Sequence, residues 1–264
     1  MKDDGESNGR GSLPASEFVQ TLEKGLLVIR CFNEDTPVRT LADVAKAVGL
    51  TRAAARRLVL TLEALGYVER NDKVFSLSPR VLELGYSYLA SQPWWRHAQK
   101  TLQEAGREIG CACAVGVLDR DSVAYVAYTP GGASASVLRS VGTRLPATAT
   151  AMGRVLLASL SPQAVAKLLK AYPPARLTPF TLTEPEEIAN DLARVRSLGY
   201  STVYQQLEVG LFSIGVPIYD RGGQVIAAMS ASVWQREPDD ETLKARFLEP
   251  LLKASRKITD GLPY

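Results

Sequence analysis

Three arginines stand close together in the first third of the chain, at Arg52, Arg56 and Arg57. The first two are four residues apart and would share one face of a helix. Ala53 and Ala54 would keep the start of that helix slim, so that its backbone could approach a flat surface. A guanidinium group binds phosphate, or the acceptor edge of guanine, through two parallel hydrogen bonds. The pattern favours a helix that enters a nucleic-acid groove, although arginines on an isolated helix more often form a solvated face.

The neighbouring sequence contains the elements that would position these arginines. Thr40 is followed three residues later by Asp43, as in a capping box, and Gly49 suits the left-handed residue after a short helix. Thr51 can cap the arginine-bearing helix. The stripe that would bury that helix consists of Ala55, Leu58, Val59, Leu62 and Leu65.

A first helix and a hairpin flank this pair of helices. Residues 16–32 carry Val19, Leu22, Leu26 and Ile29 at helical spacing, and Asn71-Asp72-Lys73 separates two β-forming segments. The order helix, helix, helix, hairpin predicts a winged helix-turn-helix. We expect its nucleic-acid contacts at Arg39, Thr40, Thr51, Arg52, Ala53, Ala54, Arg56, Arg57 and Lys73.

Charge is concentrated in the same segment. The whole chain carries +3, whereas the stretch from Pro37 to Arg80 holds eight Lys or Arg against four Asp or Glu, a local +4 (8 − 4). A basic patch of this kind is the electrostatic footprint of a nucleic-acid partner.

The rest of the chain predicts a second domain. We expect a disordered tail at 1–15, the winged helix-turn-helix at 16–78, a linker helix at 79–92 and an effector-binding domain at 93–264. Strands are expected at 111–118, 123–128, 211–219 and 225–233. Helices are expected over Ala98, Leu102, Ala105 and Ile109, at 148–160, after Thr183-x-x-Glu186, and at 240–259. Strands with helices between them favour an α+β or mixed α/β class.

The inventory of reactive residues argues against an enzyme. The 264 residues include one histidine, His97, so a histidine-based metal site or relay cannot be assembled within one chain. Cys111 and Cys113 fit a buried pair better than a metal or redox site. We therefore expect no catalytic residues, no metal and no cofactor. Three cysteines and the lack of a membrane-length apolar run favour the cytoplasm and no membrane partner.

A small-molecule pocket is better supported than a catalytic one. Residues 142–153 are rich in small and hydroxyl side chains before a helix, where free amides can hold an anion. Ser230 and Ser232 alternate on a strand and so face the same side. Either feature alone could be simple packing.

Three ordered segments resemble the IclR family of bacterial transcriptional regulators: Thr40–Leu65, residues 144–158 (RLPATATAMGRVLLA) and residues 199–217. Residues 18–26 and 144–146 are similar to its PcaR/PcaU/PobR subgroup, which regulates protocatechuate, 4-hydroxybenzoate and β-ketoadipate catabolism. The resemblance implies a homodimer or homotetramer that binds a double-stranded DNA operator. It also implies a C-terminal GAF-like domain that binds an effector, an aromatic or dicarboxylic acid.

The resemblance places the effector pocket residue by residue. The family pocket falls on Val137, Ala151, Met152, Val203, Leu211, Ser213, Ser230 and Ser232. This chain has Tyr204-Gln205-Gln206 where many subgroup members have Asp-Gln-Glu, and Phe212 where arginine is common. The loss of those charges suggests a more apolar or aromatic effector, or one that relies on Arg144. Arg144 and Tyr204 therefore join the predicted site.

The leading hypothesis is a DNA-binding transcriptional regulator that responds to a small metabolite of aromatic-acid catabolism. The alternative is a small-molecule sensor or enzyme whose winged helix mediates protein–protein contacts.

Overall fold

The computed structural model describes Pro14, residues 16–131, 140–234 and 240–262. Within the predicted disordered tail at 1–15, Pro14 is described and the other residues lie outside the described residues. The chain divides into two compact units, with the boundary between Ser87 and Tyr88. None of the described helices is both long and apolar enough to cross a membrane.

The first unit contains three helices and a small antiparallel sheet. The elements are α1 (Gln20–Arg30), β1 (Val38–Thr40), α2 (Leu41–Ala47), α3 (Arg52–Ala64), β2 (Val68–Asn71) and β3 (Val74–Leu77). The strand order is β1-β3-β2, so β1, which the sequence did not predict, completes the sheet beside the hairpin. A 3-10 turn at Pro79–Val81 leads into α4 (Leu82–Ala90).

Local capping explains why α2 and α3 begin where they do. The Thr40 hydroxyl accepts a hydrogen bond from the Asp43 amide at 3.3 Å, and the Asp43 carboxylate accepts one from the Thr40 amide at 3.0 Å. The Thr40 hydroxyl also donates to the Asp43 carboxylate at 2.7 Å, and this bond, together with the one from the Thr40 amide, lowers the pKa of Asp43. Thr51 caps α3 by accepting from the Ala54 amide, and Gly49 adopts φ +64° between the two helices. The predicted winged helix-turn-helix is confirmed.

One apolar prediction in this unit is wrong. Leu65 was expected in the buried stripe of α3 but is 52% exposed, because the helix ends at Ala64. The apolar residues at helical spacing near α1 divide: Val19, Leu22 and Leu26 are exposed, whereas Ile29 is half-buried and packs against the core beside the buried Val28.

The second unit is built around a six-stranded sheet. Its elements are α5 (Trp95–Ile109), β4 (Ala112–Asp119), β5 (Ser122–Thr129), β6 (Arg144–Pro146), α6 (Ala151–Ala158), α7 (Pro162–Ala171), α8 (Pro185–Leu198), β7 (Ser201–Tyr204), β8 (Leu211–Tyr219), β9 (Val225–Trp234) and α9 (Asp240–Asp260). The strand order is β6-β5-β4-β9-β8-β7, and each neighbouring pair is antiparallel.

Helices cover both faces of this sheet because its strands are apolar on both sides. One face packs against α5 and α9, with Leu102 and Phe247 in the core. The other packs against α6, α7 and α8, with Met152 and Leu192 in the core. The predicted α+β architecture with an N-terminal winged helix is confirmed.

Several predicted boundaries in the second unit are wrong. The helix expected at 148–160 is a 3-10 turn at Ala147–Ala149 followed by the shorter α6. Thr183 does not cap α8: Glu184 occupies the N-cap position without a side-chain bond, and the Thr183 hydroxyl accepts from Arg176 instead. Strands β6 and β7, which are only three and four residues long, were not predicted.

Candidate functional site

The arginines of α3 are placed as the sequence predicts. Arg52, Arg56 and Arg57 are exposed, and within the described part of the chain none of them forms an ion pair. Ala55, Val59 and Leu62 bury the opposite face of the helix. The guanidinium groups are therefore free to bind an external anion.

Other residues predicted at this interface have structural roles. Arg39 is half-buried and donates to the Cys31 carbonyl at 2.9 Å and to the Thr36 hydroxyl at 2.7 Å, which holds the end of α1. Thr40 and Thr51 are the caps of α2 and α3. Ala53 is exposed beside Arg52, Ala54 is half-buried, and Lys73 is exposed in the turn between β2 and β3.

A cavity lies in the second unit where the sheet meets the start of α6. The space outside the protein atoms is about 330 Å³ with the open solvent at its mouth included, and only about 10 Å³ can hold the centre of a water molecule. Its lining comprises Tyr125, Ala149, Thr150, Ala151, Met152, Val203, Leu207, Leu211, Ser213, Ser230 and Ser232. The lining residues that the structure describes include no Lys, Arg, His, Asp or Glu, so this part of the cavity wall carries no charged side chain.

The cavity offers polar groups suited to a carboxylate or a hydroxyl. The hydroxyls of Ser213 and Ser232, on β8 and β9, are 2.8 Å apart. Thr150 caps α6 by accepting from the Gly153 amide at 3.1 Å. Amides in the first turn of a helix lack intrahelical acceptors, and the helix dipole favours an anion there. A small anion with an apolar body fits this combination.

Most of the predicted pocket residues line this cavity, two do not, and one lies outside the described residues. Seven line it: Ala151, Met152, Val203, Leu211, Ser213, Ser230 and Ser232. Arg144 lies instead on β6, where its exposed guanidinium pairs with Asp119. Val137 lies outside the described residues.

Tyr204 is also absent from the lining, because side chains alternate along β7. Val203 faces the cavity, whereas Tyr204 packs on the opposite face of the sheet, with its ring centroid 5.4 Å from that of Phe212. Tyr204 and Phe212 are directly paired across β7 and β8. The uncharged side chains at these two positions therefore form a cross-strand pair on the face away from the cavity, and neither of them lines the cavity.

Four lining residues were not predicted: Tyr125, Ala149, Thr150 and Leu207. Ala149 and Thr150 lie within the hydroxyl-rich segment 142–153, whose composition could have indicated that they line the pocket. No sequence feature indicated Tyr125, because one tyrosine on a buried strand resembles an ordinary core residue. Leu207 lies in a loop whose path the sequence does not determine.

A buried arginine stands next to the cavity on α6. Arg154 is 1% exposed; its Nε donates to the Thr148 carbonyl at 2.9 Å, and its terminal nitrogens donate to Asp191 and Gln206. Burial lowers the pKa of Arg154, while the Asp191 carboxylate opposes that shift. The guanidinium thus connects α6, α8 and the β7–β8 loop.

The two cysteines form the buried pair that the sequence favoured. Cys111 and Cys113 are both buried, and the Cys113 thiol donates to the Cys111 carbonyl at 3.6 Å. The Cys111 side chain and burial both raise the pKa of Cys113, which makes its thiol a poor nucleophile.

Comparison with known proteins gives a consistent result for both units. Residues 21–72 match the IclR helix-turn-helix domain, and residues 86–260 match the bacterial transcriptional regulator IclR C-terminal domain. The Pca regulon regulatory protein of Pseudomonas putida is 38% identical over 252 residues, covering 93% of this chain and 85% of that protein.

Solved structures show the same likeness. A candidate transcriptional regulator from Rhodococcus sp. RHA1 has a TM-score of 0.83 and 40% identity, covering 93% of this chain and 98% of that one. An IclR homologue from Microbacterium hydrocarbonoxydans, complexed with 4-hydroxybenzoate, has a TM-score of 0.79 and 27% identity, covering 92% and 98%.

Proposed function

Because the chain belongs to the IclR family of bacterial transcriptional regulators, we propose that α3 and the β2–β3 turn bind a double-stranded DNA operator. The observation that carries this proposal is the set of three exposed arginines on α3, opposite a buried face. Ala53 beside them leaves space for the helix to approach base edges in the major groove. Lys73, in the hairpin turn, is placed to contact a flanking phosphate.

A binding titration on the DNA upstream of the protein's own gene tests this role. Arg56→Ala should weaken binding by about 1–3 kcal/mol and lower the slope of log affinity against log salt by about one. Lys170→Ala is the matched control, since this exposed lysine lies on α7 in the other unit. If the Arg56→Ala and Lys170→Ala variants both have the affinity and the salt slope of the unmodified protein, α3 is not the DNA-contacting helix.

We propose further that the cavity binds an aromatic acid and that this ligand changes the affinity for the operator. The Microbacterium homologue was crystallised with 4-hydroxybenzoate, and the Pseudomonas relative is named for the Pca regulon. The cavity supports the same class here, because its wall is apolar apart from hydroxyls and the start of a helix. The ligand must bind the DNA-competent and incompetent states unequally in order to act.

Thermal unfolding with candidate acids tests the ligand class. A compound that binds the folded state raises the melting temperature by mass action. Protocatechuate or 4-hydroxybenzoate should raise it in a concentration-dependent way, and β-ketoadipate distinguishes an aromatic from an aliphatic dicarboxylic ligand. If neither aromatic acid shifts the melting temperature, the aromatic assignment is wrong.

We propose self-association through the first unit, with a homodimer as the smallest assembly. Val19, Leu22 and Leu26 form an exposed apolar row on α1, and Leu82 and Tyr86 on α4 are 75% and 53% exposed. Several exposed apolar side chains on one helix mark a candidate interaction site. A dimer also suits operator binding, because a single winged helix contacts few base pairs and two copies can contact two half-sites.

A further inference from the structure

The cavity is too small in this structure for the ligand class proposed above. The centre of a water molecule has only about 10 Å³ available, which is about the space of one water. A benzene ring with a carboxylate is far larger than one water. Binding therefore requires part of the wall to move.

Most of the described wall is held by close backbone packing. A Cβ on Gly215 would lie 2.7 Å from the Ala151 carbonyl carbon, and one on Gly153 would lie 2.1 Å from the Ala147 oxygen. The sheet and the start of α6 thus already touch at backbone distance. Strands β8 and β9 are also paired on both of their edges.

The β7–β8 loop, residues 205–210, is joined to its surroundings by side-chain hydrogen bonds. It contributes Leu207, and Leu211 follows directly. The Thr178 hydroxyl donates to the Gln205 carbonyl at 2.6 Å, and the Thr181 hydroxyl donates to the Gln206 carbonyl at 2.7 Å. These bonds join the loop to the segment before α8.

One side chain of the loop reaches further into the protein. The Gln206 side-chain oxygen accepts from the Leu182 amide at 3.2 Å and from the guanidinium of Arg154. Arg154 is itself fixed by the Thr148 carbonyl and the Asp191 carboxylate. Thr148 immediately precedes the cavity residues Ala149 and Thr150, so the same guanidinium contacts two sides of the cavity wall.

We propose that Arg154 and Gln206 are positioning residues for ligand binding: their hydrogen bond holds the β7–β8 loop against the cavity and sets how readily the cavity opens. The inference rests on the proposed ligand function. The bond joins a cation to a neutral amide, and a carboxylate at position 206 would make it stronger. The side chain at 206 thereby determines the rate at which ligand enters.

Two substitutions at Gln206 change the strength of this bond in opposite directions. Gln206→Ala removes it, and we expect the association rate constant for 4-hydroxybenzoate in stopped-flow measurements to rise about tenfold. Gln206→Glu strengthens it, and we expect that rate constant to fall about tenfold. Gln206 is half-buried and is a milder site than Arg154, whose removal would leave Asp191 without its buried partner.

Arg194→Ala is the matched control. Arg194 pairs with the other oxygen of Asp191 at 2.7 Å, its side chain is 43% exposed, and among the described residues it forms no hydrogen bond to the loop. Its removal should leave the association rate unchanged. A merely structural role for Gln206 would change both Gln206 variants in the same direction, or neither, and either result would overturn the proposal.

Hydrogen exchange separates this proposal from the identity of the ligand. The amides of Gly210 and Leu211 are bonded within the loop, to the Gln205 side chain at 3.0 Å and to the Glu208 carbonyl at 3.1 Å. Without any ligand, Gln206→Ala should accelerate their exchange and Gln206→Glu should slow it. If 4-hydroxybenzoate does not bind but these exchange rates change as expected, the ligand class fails and the positioning role stands; unchanged exchange rates contradict the role itself.

Discussion

The paired hydroxyls of Ser213 and Ser232 are the polar groups of the cavity that a substitution can test most directly. They lie 2.8 Å apart, and each can turn its hydrogen toward a ligand oxygen. Replacing one of them removes a single hydrogen bond of about 0.5–1.5 kcal/mol to a neutral group, or more to a charged one.

At the residue scale we expect Ser232→Ala to weaken 4-hydroxybenzoate binding by about 1 kcal/mol, and the apo protein to lose no more than about 0.5–1.5 kcal/mol of stability with the bond to Ser213. Isothermal titration calorimetry gives the affinity and scanning calorimetry the stability. Ser91→Ala is the control, since Ser91 is exposed and lies outside the lining. Equal weakening by both substitutions would show that the cavity hydroxyl has no specific role.

The sequence pattern predicted that the arginines of α3 are exposed, but it did not show which other arginines are bonded within the protein. Arg39 was indistinguishable from Arg52 in sequence, because nothing in the local pattern shows that the end of α1 lies within reach of its guanidinium. Seven of the ten predicted effector residues meet at the cavity because the resemblance carries three-dimensional information that spacing lacks. Likewise, nothing in the local pattern shows that Arg144 pairs with Asp119, which is 25 positions away in the chain.

At the scale of elements, the pair Tyr204–Phe212 joins β7 to β8 on the face away from the cavity. Tyr204→Asp or Phe212→Arg alone should cost about 3–5 kcal/mol of stability, because each places an unpaired charge against the core. The double variant restores the charges common in the subgroup and should cost less than the sum of the single variants. Chemical denaturation measures the three values. Ligand affinity should stay unchanged in the double variant, and a large loss of affinity would contradict the assignment of this pair to the far face.

The contact between β8 and α6 gives a second prediction for these elements. Gly215→Ala would place a Cβ 2.7 Å from the Ala151 backbone, so we expect a loss of about 1–3 kcal/mol in the free energy of unfolding. Gly222→Ala is the control, because its nearest neighbour is the movable carboxylate of Asp220 at 3.2 Å. Equal stability of the two variants in urea denaturation would mean that α6 can shift away from the sheet.

The sequence predicted the long elements more reliably than the short ones for a physical reason. A helix such as α5 repeats its apolar positions four times, at Ala98, Leu102, Ala105 and Ile109, and all four are buried. Strands of three or four residues, such as β6 and β7, show too few alternations to give a signal. Their pairing energy comes from neighbours distant in the chain, so the edges of the sheet could not be predicted locally.

At the scale of the whole molecule, the exposed apolar surface of α1 and α4 predicts self-association. Leu82→Asp should shift the protein from dimer to monomer in analytical ultracentrifugation, because a carboxylate in an apolar interface loses its hydration. Leu198→Asp is the control, since Leu198 is a partly exposed leucine at the end of α8 in the other unit. A monomeric unmodified protein at micromolar concentration, or no change with Leu82→Asp, would contradict the assigned interface.

Coupling between ligand and DNA gives the last prediction, and it depends on that assembly. If 4-hydroxybenzoate changes the affinity for operator DNA by some factor, operator DNA must change the affinity for 4-hydroxybenzoate by the same factor. Anisotropy with and without ligand, and calorimetry with and without DNA, measure the two factors independently. In a dimer the ligand can change the spacing of two winged helices, whereas a monomer has one winged helix and no spacing to change. We therefore expect Leu82→Asp to bind ligand normally but to lose the coupling factor; if the factor persists in the monomer, the ligand acts within one chain and not through the arrangement of two.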